Sequence, residues 1–235
     1  AVQEMARECG FGRKTELSLD FERPGLVPDG AWKRTARRDS WRDGDTCNLA
    51  IGQGALLVTP IQLAMYAAAL ANGGTLWRPR LVREIAPADG AVQEVAPARA
   101  PDGPRWEARH IRVVREGMRD AVNAPDGSGK RAALPHVTVA AKTGTAEYGV
   151  KGAGRKMTWM IAFAPFEEPR YAVALLVEDG VSGGTTAAPR MKQLLAQTFR
   201  EVDGLDMPPV EPLPPVPPPT PDPGAAPAVA AEEPA

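Results

Sequence analysis

The sequence predicts an α+β fold in which an antiparallel sheet packs against helices. Three observations carry that expectation. Three strand-like runs follow one another between residues 137 and 177 with little room for crossover helices. A helical segment from Pro189 closes the ordered part of the chain. A long apolar helix from Thr59 supplies a second layer for the sheet to bury against.

Taken in order, Ala1-Val2-Gln3-Glu4-Met5-Ala6 reads as helix without a preceding start signal, so the natural N-terminus is expected to lie upstream. Thr59-Pro60-Ile61-Gln62 is a helix start, with Thr59 as N-cap, Pro60 in the first turn and Gln62 closing a capping box. That helix runs through Leu70 and stops at Asn72-Gly73-Gly74. It is apolar nearly all round, which predicts a central position. A second helix is expected over roughly 106–122, with Ile111, Val114, Met118 and Val122 inward and arginines outward.

The β-branched run Val137-Thr138-Val139 feeds Ala140-Ala141-Lys142-Thr143-Gly144-Thr145, which places the latter at a strand end. A polar, glycine-rich loop from Glu147 to Lys156 precedes strands over 158–164 and 171–177. The turn Pro165-Phe166-Glu167-Glu168-Pro169 makes those two antiparallel neighbours. The last helix is expected to bury Met191, Leu194, Leu195, Phe199 and Val202. From Gly204 onward 12 of 32 residues are proline, which predicts a separate extended or disordered tail over 204–235 beyond a folded part over 1–203.

Formal net charge is −1, so no global electrostatic attraction to nucleic acid or an anionic membrane is expected. No stretch approaches the roughly 20 apolar residues of a membrane span. The basic run from Lys33 to Arg38 is met at once by Asp39, Asp43 and Asp45 and reads as a solvated loop. Cys9 and Cys47 lack zinc-ligand spacing with His110 and His136, and read as two unrelated buried thiols, though pairing in an oxidising compartment is open. Pro125-Asp126-Gly127-Ser128-Gly129-Lys130 imitates a phosphate loop, but Ala124 replaces its first glycine and Arg131 its final hydroxyl residue. A glycine turn before the strand explains it. No metal or cofactor is called for.

Lys142-Thr143-Gly144-Thr145 sets a cation, two hydroxyls and bare backbone side by side, a combination suited to a carboxylate and a carbonyl oxygen. Lys-Thr-Gly is one of three signatures of the penicillin-binding proteins and serine β-lactamases. Three further segments agree in order: residues 44–54 with Ile51-Gly52-Gln53-Gly54, then Val58-Thr59-Pro60-Ile61-Gln62-Leu63-Ala64, then Ala71-Asn72-Gly73-Gly74. After the motif comes Trp159-Met160-Ile161-Ala162-Phe163-Ala164-Pro165 at the family distance. Residues 1–203 thus resemble the C-terminal part of the transpeptidase domain of a class B penicillin-binding protein. The Ile-Gly-Gln-Gly form leans to the elongation-type, penicillin-binding protein 2 group, with division-type enzymes the near alternative.

The resemblance implies a D,D-transpeptidase that cross-links peptidoglycan stem peptides through an acyl-serine, is acylated by β-lactams, works with cell-elongation machinery and sits at the periplasmic face of the bacterial inner membrane. By position, Lys142 would bridge to the serine of the second motif. Thr143 and Thr145 would bind the substrate carboxylate, the Thr145 N–H would supply half of an oxyanion hole, and Gly144 would keep the wall flat. Glu147 stands where the family often has glutamine. Its charge would oppose an anionic ligand by about 1 kcal/mol for a solvated pair 4 Å apart.

The chain departs from the family at the nucleophile. Its serines are Ser18, Ser40, Ser128 and Ser182, followed three positions on by Phe21, Asp43, Arg131 and Thr185, so no Ser-x-x-Lys exists, nor any Ser-x-Asn. Ser18-Leu19-Asp20 sits in a segment that reads as structural. The expectation is a chain beginning beyond the second motif and inactive alone, with exposed apolar surface along the Thr59–Leu70 helix. The competing readings are a non-catalytic module that kept the fold, and a β-lactamase or β-lactam sensor, against which Ile-Gly-Gln-Gly and Thr-Pro-x-Gln argue.

Overall fold

A three-stranded antiparallel sheet sits between two helical layers in the computed structural model, which describes residues 1–17, 19–101, 103–149, 155–209 and 212–216. Ser18 and most of the expected tail (210–211 and 217–235) lie outside the described residues. The helices are α1 (Val2–Glu8), α2 (Gly30–Arg37), α3 (Asp43–Ala50), α4 (Pro60–Ala71), α5 (Ala108–Asn123) and α6 (Ala188–Glu201). A short exposed hairpin of β1 (Glu84–Ile85) and β2 (Gln93–Glu94) stands apart from the main sheet. That sheet has the order β3 (Ala140–Glu147), β4 (Lys156–Ala164), β5 (Tyr171–Glu178), each strand pairing with its sequence neighbour.

Strand alternation sends successive side chains to opposite faces, and the two cores follow it. On one face Val139, Ala141, Met160, Ala162 and Ala164 pack with Met191, Leu195, Ala196 and Phe199 of α6. On the other, Ala140 and Phe163 meet Leu70 and Ala71 of α4 and Met118 of α5. Odd-numbered residues of β3 therefore face α6, and even-numbered ones face α4 and α5.

α4 forms as expected. Thr59 Oγ1 accepts from the Gln62 N–H at 3.3 Å, and Gln62 Oε1 accepts from the Thr59 N–H at 2.9 Å. Gln62 is only 1 % exposed, because its amide also donates to the carbonyls of Arg13 (2.7 Å), Pro24 (2.9 Å) and Gly10 (3.4 Å). One side chain thus caps the helix and fastens the N-terminal segment to it. The exposed apolar face expected along this helix is absent: every residue from Ile61 to Ala71 is buried or half-buried, with Phe11 tilted against Tyr66 and Trp106 meeting it edge to face.

Other expectations need correction. The basic run from Lys33 lies mostly in a helix rather than a loop. Asp29 caps α2 by accepting from the Trp32 N–H at 2.8 Å, and Lys33 pairs with Asp39 at 3.1 Å and Asp45 at 2.6 Å. In α5 Val114 is 45 % exposed, and Arg115 turns inward in its place. Its guanidinium donates to the carbonyls of Ala71 and Phe166 and lies 5.1 Å from the Phe163 ring centroid. Leu194 of α6 and Val202, just past its end, are outside, 41 % and 67 % exposed. The strand starts after the β-branched run, so the Lys-Thr-Gly motif lies within β3 rather than at its end. Both cysteines are free thiols, but Cys47 is exposed and only Cys9 is buried.

Beyond α6 the described chain runs along that helix. Met207 is buried in the α6-side core, and Arg200 and Arg190 donate to the carbonyls of Met207 (2.9 Å) and Pro214 (2.7 Å).

Candidate functional site

Lys142, Thr143, Gly144 and Thr145 occupy the interior of β3, which is an edge of the main sheet. Gln53 Nε2 donates to the Thr145 carbonyl at 3.1 Å, so that carbonyl points away from β4. A strand residue sends its N–H and C=O to the same side. The Thr145 N–H therefore also faces the free edge, where it is available as a donor.

Thr143 and Thr145, odd-numbered, turn their hydroxyls toward the α6 side. Thr143 Oγ1 lies 3.1 Å from Ser128 Oγ, and Thr145 Oγ1 accepts from the Gly183 N–H at 3.1 Å. Both border a pocket of about 410 Å³. Its hydroxyls come from Ser128, Thr143, Thr145, Ser182 and Thr185, and its cations are Lys130 and Arg131. Among the described residues the rest of the lining is glycine, and no carboxylate or apolar side chain borders it.

Those glycines let two backbones approach. A Cβ on Gly183 would stand 2.7 Å from the Gly144 carbonyl oxygen, and one on Gly184 would stand 2.5 Å from that of Ser128. The segment that fits so closely is a wide helical turn over Gly183–Ala187, continuous with α6. It is capped by Ser182, whose Oγ accepts from the Thr185 N–H at 3.1 Å. The opposite lip is the turn after α5, where the Gly129 N–H donates to Ala121 O at 2.8 Å and a Cβ on Gly127 would meet that oxygen at 2.5 Å. The imitation phosphate loop is thus a glycine turn, as its sequence implied.

The sequence-predicted residues divide. Thr143, Gly144 and Thr145 come together at this pocket. Lys142 does not border it. It lies on the α4/α5 side of β3 with its ammonium donating to the Thr143 carbonyl at 2.6 Å. Glu147 is exposed at the end of β3, opposite Lys156, and does not border the pocket either. Ser128, Arg131, Ser182, Gly183 and Gln53 escaped the sequence reading as site residues. The Gly-Ser-Gly spacing before the strand was visible, but its proximity to Thr143 exists only once α5 folds back onto β3.

A clamp secures the far end of β3. Asp179, in a positive-φ turn (φ 55), accepts from Arg155 Nε and Nη2 and from Tyr148 Oη, all at 3.0 Å. The Arg155 hydrogen bonds hold the Asp179 carboxyl below its ordinary pKa. Burial and the Asp179 contact raise that of the Tyr148 phenol.

A second hollow of about 330 Å³ lies beside α2 and α3, with Trp32, Trp41 and Gln53 on its wall. Lys33 there is already neutralised by Asp39 and Asp45. The motif pocket differs in that its Arg131 has no hydrogen-bond or ion-pair partner among the described residues.

A sheet edged by a Lys-Thr-Gly strand and enclosed by helices is the architecture of a penicillin-recognising transpeptidase domain. Residues 1–196 match the model of the penicillin binding protein transpeptidase domain, and the chain belongs to that family. It is 33 % identical over 221 residues to peptidoglycan D,D-transpeptidase MrdA of Salmonella typhimurium, covering 84 % of this chain and 34 % of the relative. To MrdA of Escherichia coli K12 it is 31 % identical over 229 residues, covering 90 % of this chain and 35 % of the relative. The chain therefore spans about a third of the length of these curated relatives.

Among solved structures, PBP2 of Pseudomonas aeruginosa in complex with WCK 5153 matches with a TM-score of 0.73 and 33 % identity, over 86 % of this chain and 43 % of that one. PBP2 of Helicobacter pylori in complex with MreC matches at 0.70 and 31 %, over 86 % and 36 %. PBP3 of Mycobacterium tuberculosis with ampicillin matches at 0.71 but 27 % identity, over 91 % and 48 %. The penicillin-binding protein 2 resemblance read from Ile51-Gly52-Gln53-Gly54 agrees with these identities.

Proposed function

We propose that this chain forms the substrate-carboxylate and oxyanion side of a peptidoglycan D,D-transpeptidase of the elongation type. The observation that carries the reading is the disposition of Thr145. Its hydroxyl faces the hydroxyl-lined pocket while its carbonyl, held by Gln53, turns with its N–H toward the free edge of β3. A tetrahedral intermediate formed at that edge would find a backbone donor fixed by the sheet, with no reorganisation needed as charge develops. Thr143 and Thr145 would hold the terminal carboxylate of a stem peptide, or that of a β-lactam. Lys142, on the other face of β3, would serve a facing proton-transfer group rather than the carboxylate.

The acyl-serine chemistry requires a nucleophile paired with a proton acceptor, and the 235 residues contain no Ser-x-x-Lys. The chain alone is therefore proposed to be inactive. The periplasmic membrane face and the cell-elongation machinery are proposed as its setting; the H. pylori relative is solved with MreC. Among the described residues no helix is long and apolar enough to cross a membrane.

The test is labelling with a fluorescent penicillin, resolved on a denaturing gel. The chain alone should remain unmarked, whereas the complete gene product should be marked, and Thr145→Val in it should slow acylation by about tenfold or more. Marking of the isolated chain would overturn the missing-nucleophile reading. Absence of marking in the complete product would overturn the transpeptidase reading. Glu147→Gln in the complete product is expected to speed acylation by anionic β-lactams a fewfold; an unchanged second-order rate removes Glu147 from the site.

A further inference from the structure

We propose that Ser128 and Arg131, both from the turn that precedes β3, complete the carboxylate subsite begun by Thr143 and Thr145 and determine its preference for an anionic peptide terminus. The inference rests on the proposed carboxylate role of those threonines and extends it to two residues outside the motif.

Among the described residues, no acidic side chain and no apolar one lines the pocket bordered by Thr143 and Thr145. Such a lining gives nothing to a neutral apolar ligand, whereas hydroxyl donors and an unmatched cation favour a small anion. Of its two cations, Lys130 already donates to the Pro125 carbonyl at 3.1 Å. Arg131 is exposed and has no hydrogen-bond or ion-pair partner among the described residues, so its guanidinium is free to meet a ligand. Its planar fork matches both oxygens of a carboxylate, which an ammonium cannot do.

Ser128 acts through Thr143. With 3.1 Å between the hydroxyl oxygens, one must donate to the other. When Ser128 accepts nothing else, it can supply the proton to Thr143 Oγ1 or take it. A carboxylate beside Thr143 accepts only, so it selects the arrangement in which Thr143 donates to the ligand and Ser128 donates to Thr143. Ser128 is thus a positioning residue for the Thr143 hydroxyl, and Arg131 is the charge partner. Gly184 makes this possible, because any side chain there would drive the helical turn off the Ser128 carbonyl.

The experiment is a titration of the ¹⁵N-labelled chain with N-acetyl-D-alanyl-D-alanine and, separately, with its C-terminal amide. Readouts are the backbone amide shifts of residues 143–145 and 183–184. The acid should bind more tightly than the amide and move these signals. Arg131→Gln should weaken the acid by about tenfold and leave the amide unchanged, Arg131→Lys should recover part of the loss, and Ser128→Ala should weaken the acid severalfold. Arg131 is exposed, so a retained spectrum elsewhere confirms that its variants fold. An acid affinity equal to wild type in Arg131→Gln overturns this inference while leaving the threonine reading in place. An acid and amide that bind alike, or fail to move these signals in the wild-type chain, overturn the threonine reading and this inference with it.

Discussion

Gln62 shows how much one buried polar side chain can hold. Its Oε1 closes the capping box of α4, and the two N–H donors of its Nε2 go to the carbonyls of Arg13 and Pro24, with that of Gly10 at a longer 3.4 Å. Gln62→Leu would keep the volume and leave those acceptors buried without a donor. It is expected to cost about 2–4 kcal/mol, against about 1 kcal/mol for Thr59→Ala, which removes only the cap. Urea unfolding measures both, and equal losses would mean that the carbonyl contacts contribute nothing. Thr59, Pro60 and Gln62 were readable from sequence as a cap because capping is local. That Gln62 also reaches Arg13 and Pro24 was not readable, because those partners are up to 49 residues away. Arg115 was misread for the same reason. Its charge suggested the solvent face, but the carbonyls at the end of α4 and at Phe166 give it partners inside.

At the scale of elements, what was legible followed from repetition. The three strands and α4, α5 and α6 were placed to within a few residues, since their apolar periods and end signals agree. α3 and the β1–β2 hairpin were missed, and α2 was read as loop, because short polar elements carry little periodic signal. The motif residues were legible at the site, whereas the pocket that Thr143 and Thr145 border was not, since its lips come from turns at 127–131 and 182–185. The clamp on β3 and β4 gives a prediction at this scale. The Asp179 pKa is lowered in the folded state, so its contribution is present above the ordinary carboxylate range and is lost as pH falls through and below that range. Asp179→Asn should therefore lower the melting temperature at neutral pH and converge on wild type toward pH 3. Parallel melting curves for the two proteins across pH 3–7 would show that the carboxylate charge is irrelevant to the clamp. Tyr148→Phe, which keeps the Arg155 pair, should show a smaller offset of the same sign.

At the scale of the whole molecule, the question is whether the N-terminal segment opens alone or only with the rest. Few regular elements join it to the sheet. Its attachments to the rest of the chain include the Gln62 amide, the Leu26–Leu57 bridge, the Arg13 hydrogen bond to the Pro101 carbonyl, the Glu16–Arg78 ion pair and the Phe11–Tyr66 contact. Cys9 lies within this segment, 5 % exposed, with its thiol pushed up to about 12 chiefly by burial and secondarily by Glu8. Cys47 is exposed. A thiol reagent at pH 8 should therefore modify one cysteine at once and the second only through opening, because the reactive form is the thiolate. The raised Cys9 pKa also means that the unfolded chain releases this proton first. Stability should thus be fully present below the ordinary thiol pKa and decline from about pH 9 upward. Because the attachments are spread over α4, residue 57, residue 78 and residue 101, none can part while the others hold the segment in register. The slow Cys9 reaction is therefore expected to track global unfolding across urea concentrations. Gln62→Leu should accelerate it by the factor that matches its loss of stability. A Cys9 rate that is insensitive to urea and far above the global unfolding rate would show instead that residues 1–29 open as a unit of their own. The folded body would then be the three-stranded sheet with α4, α5 and α6.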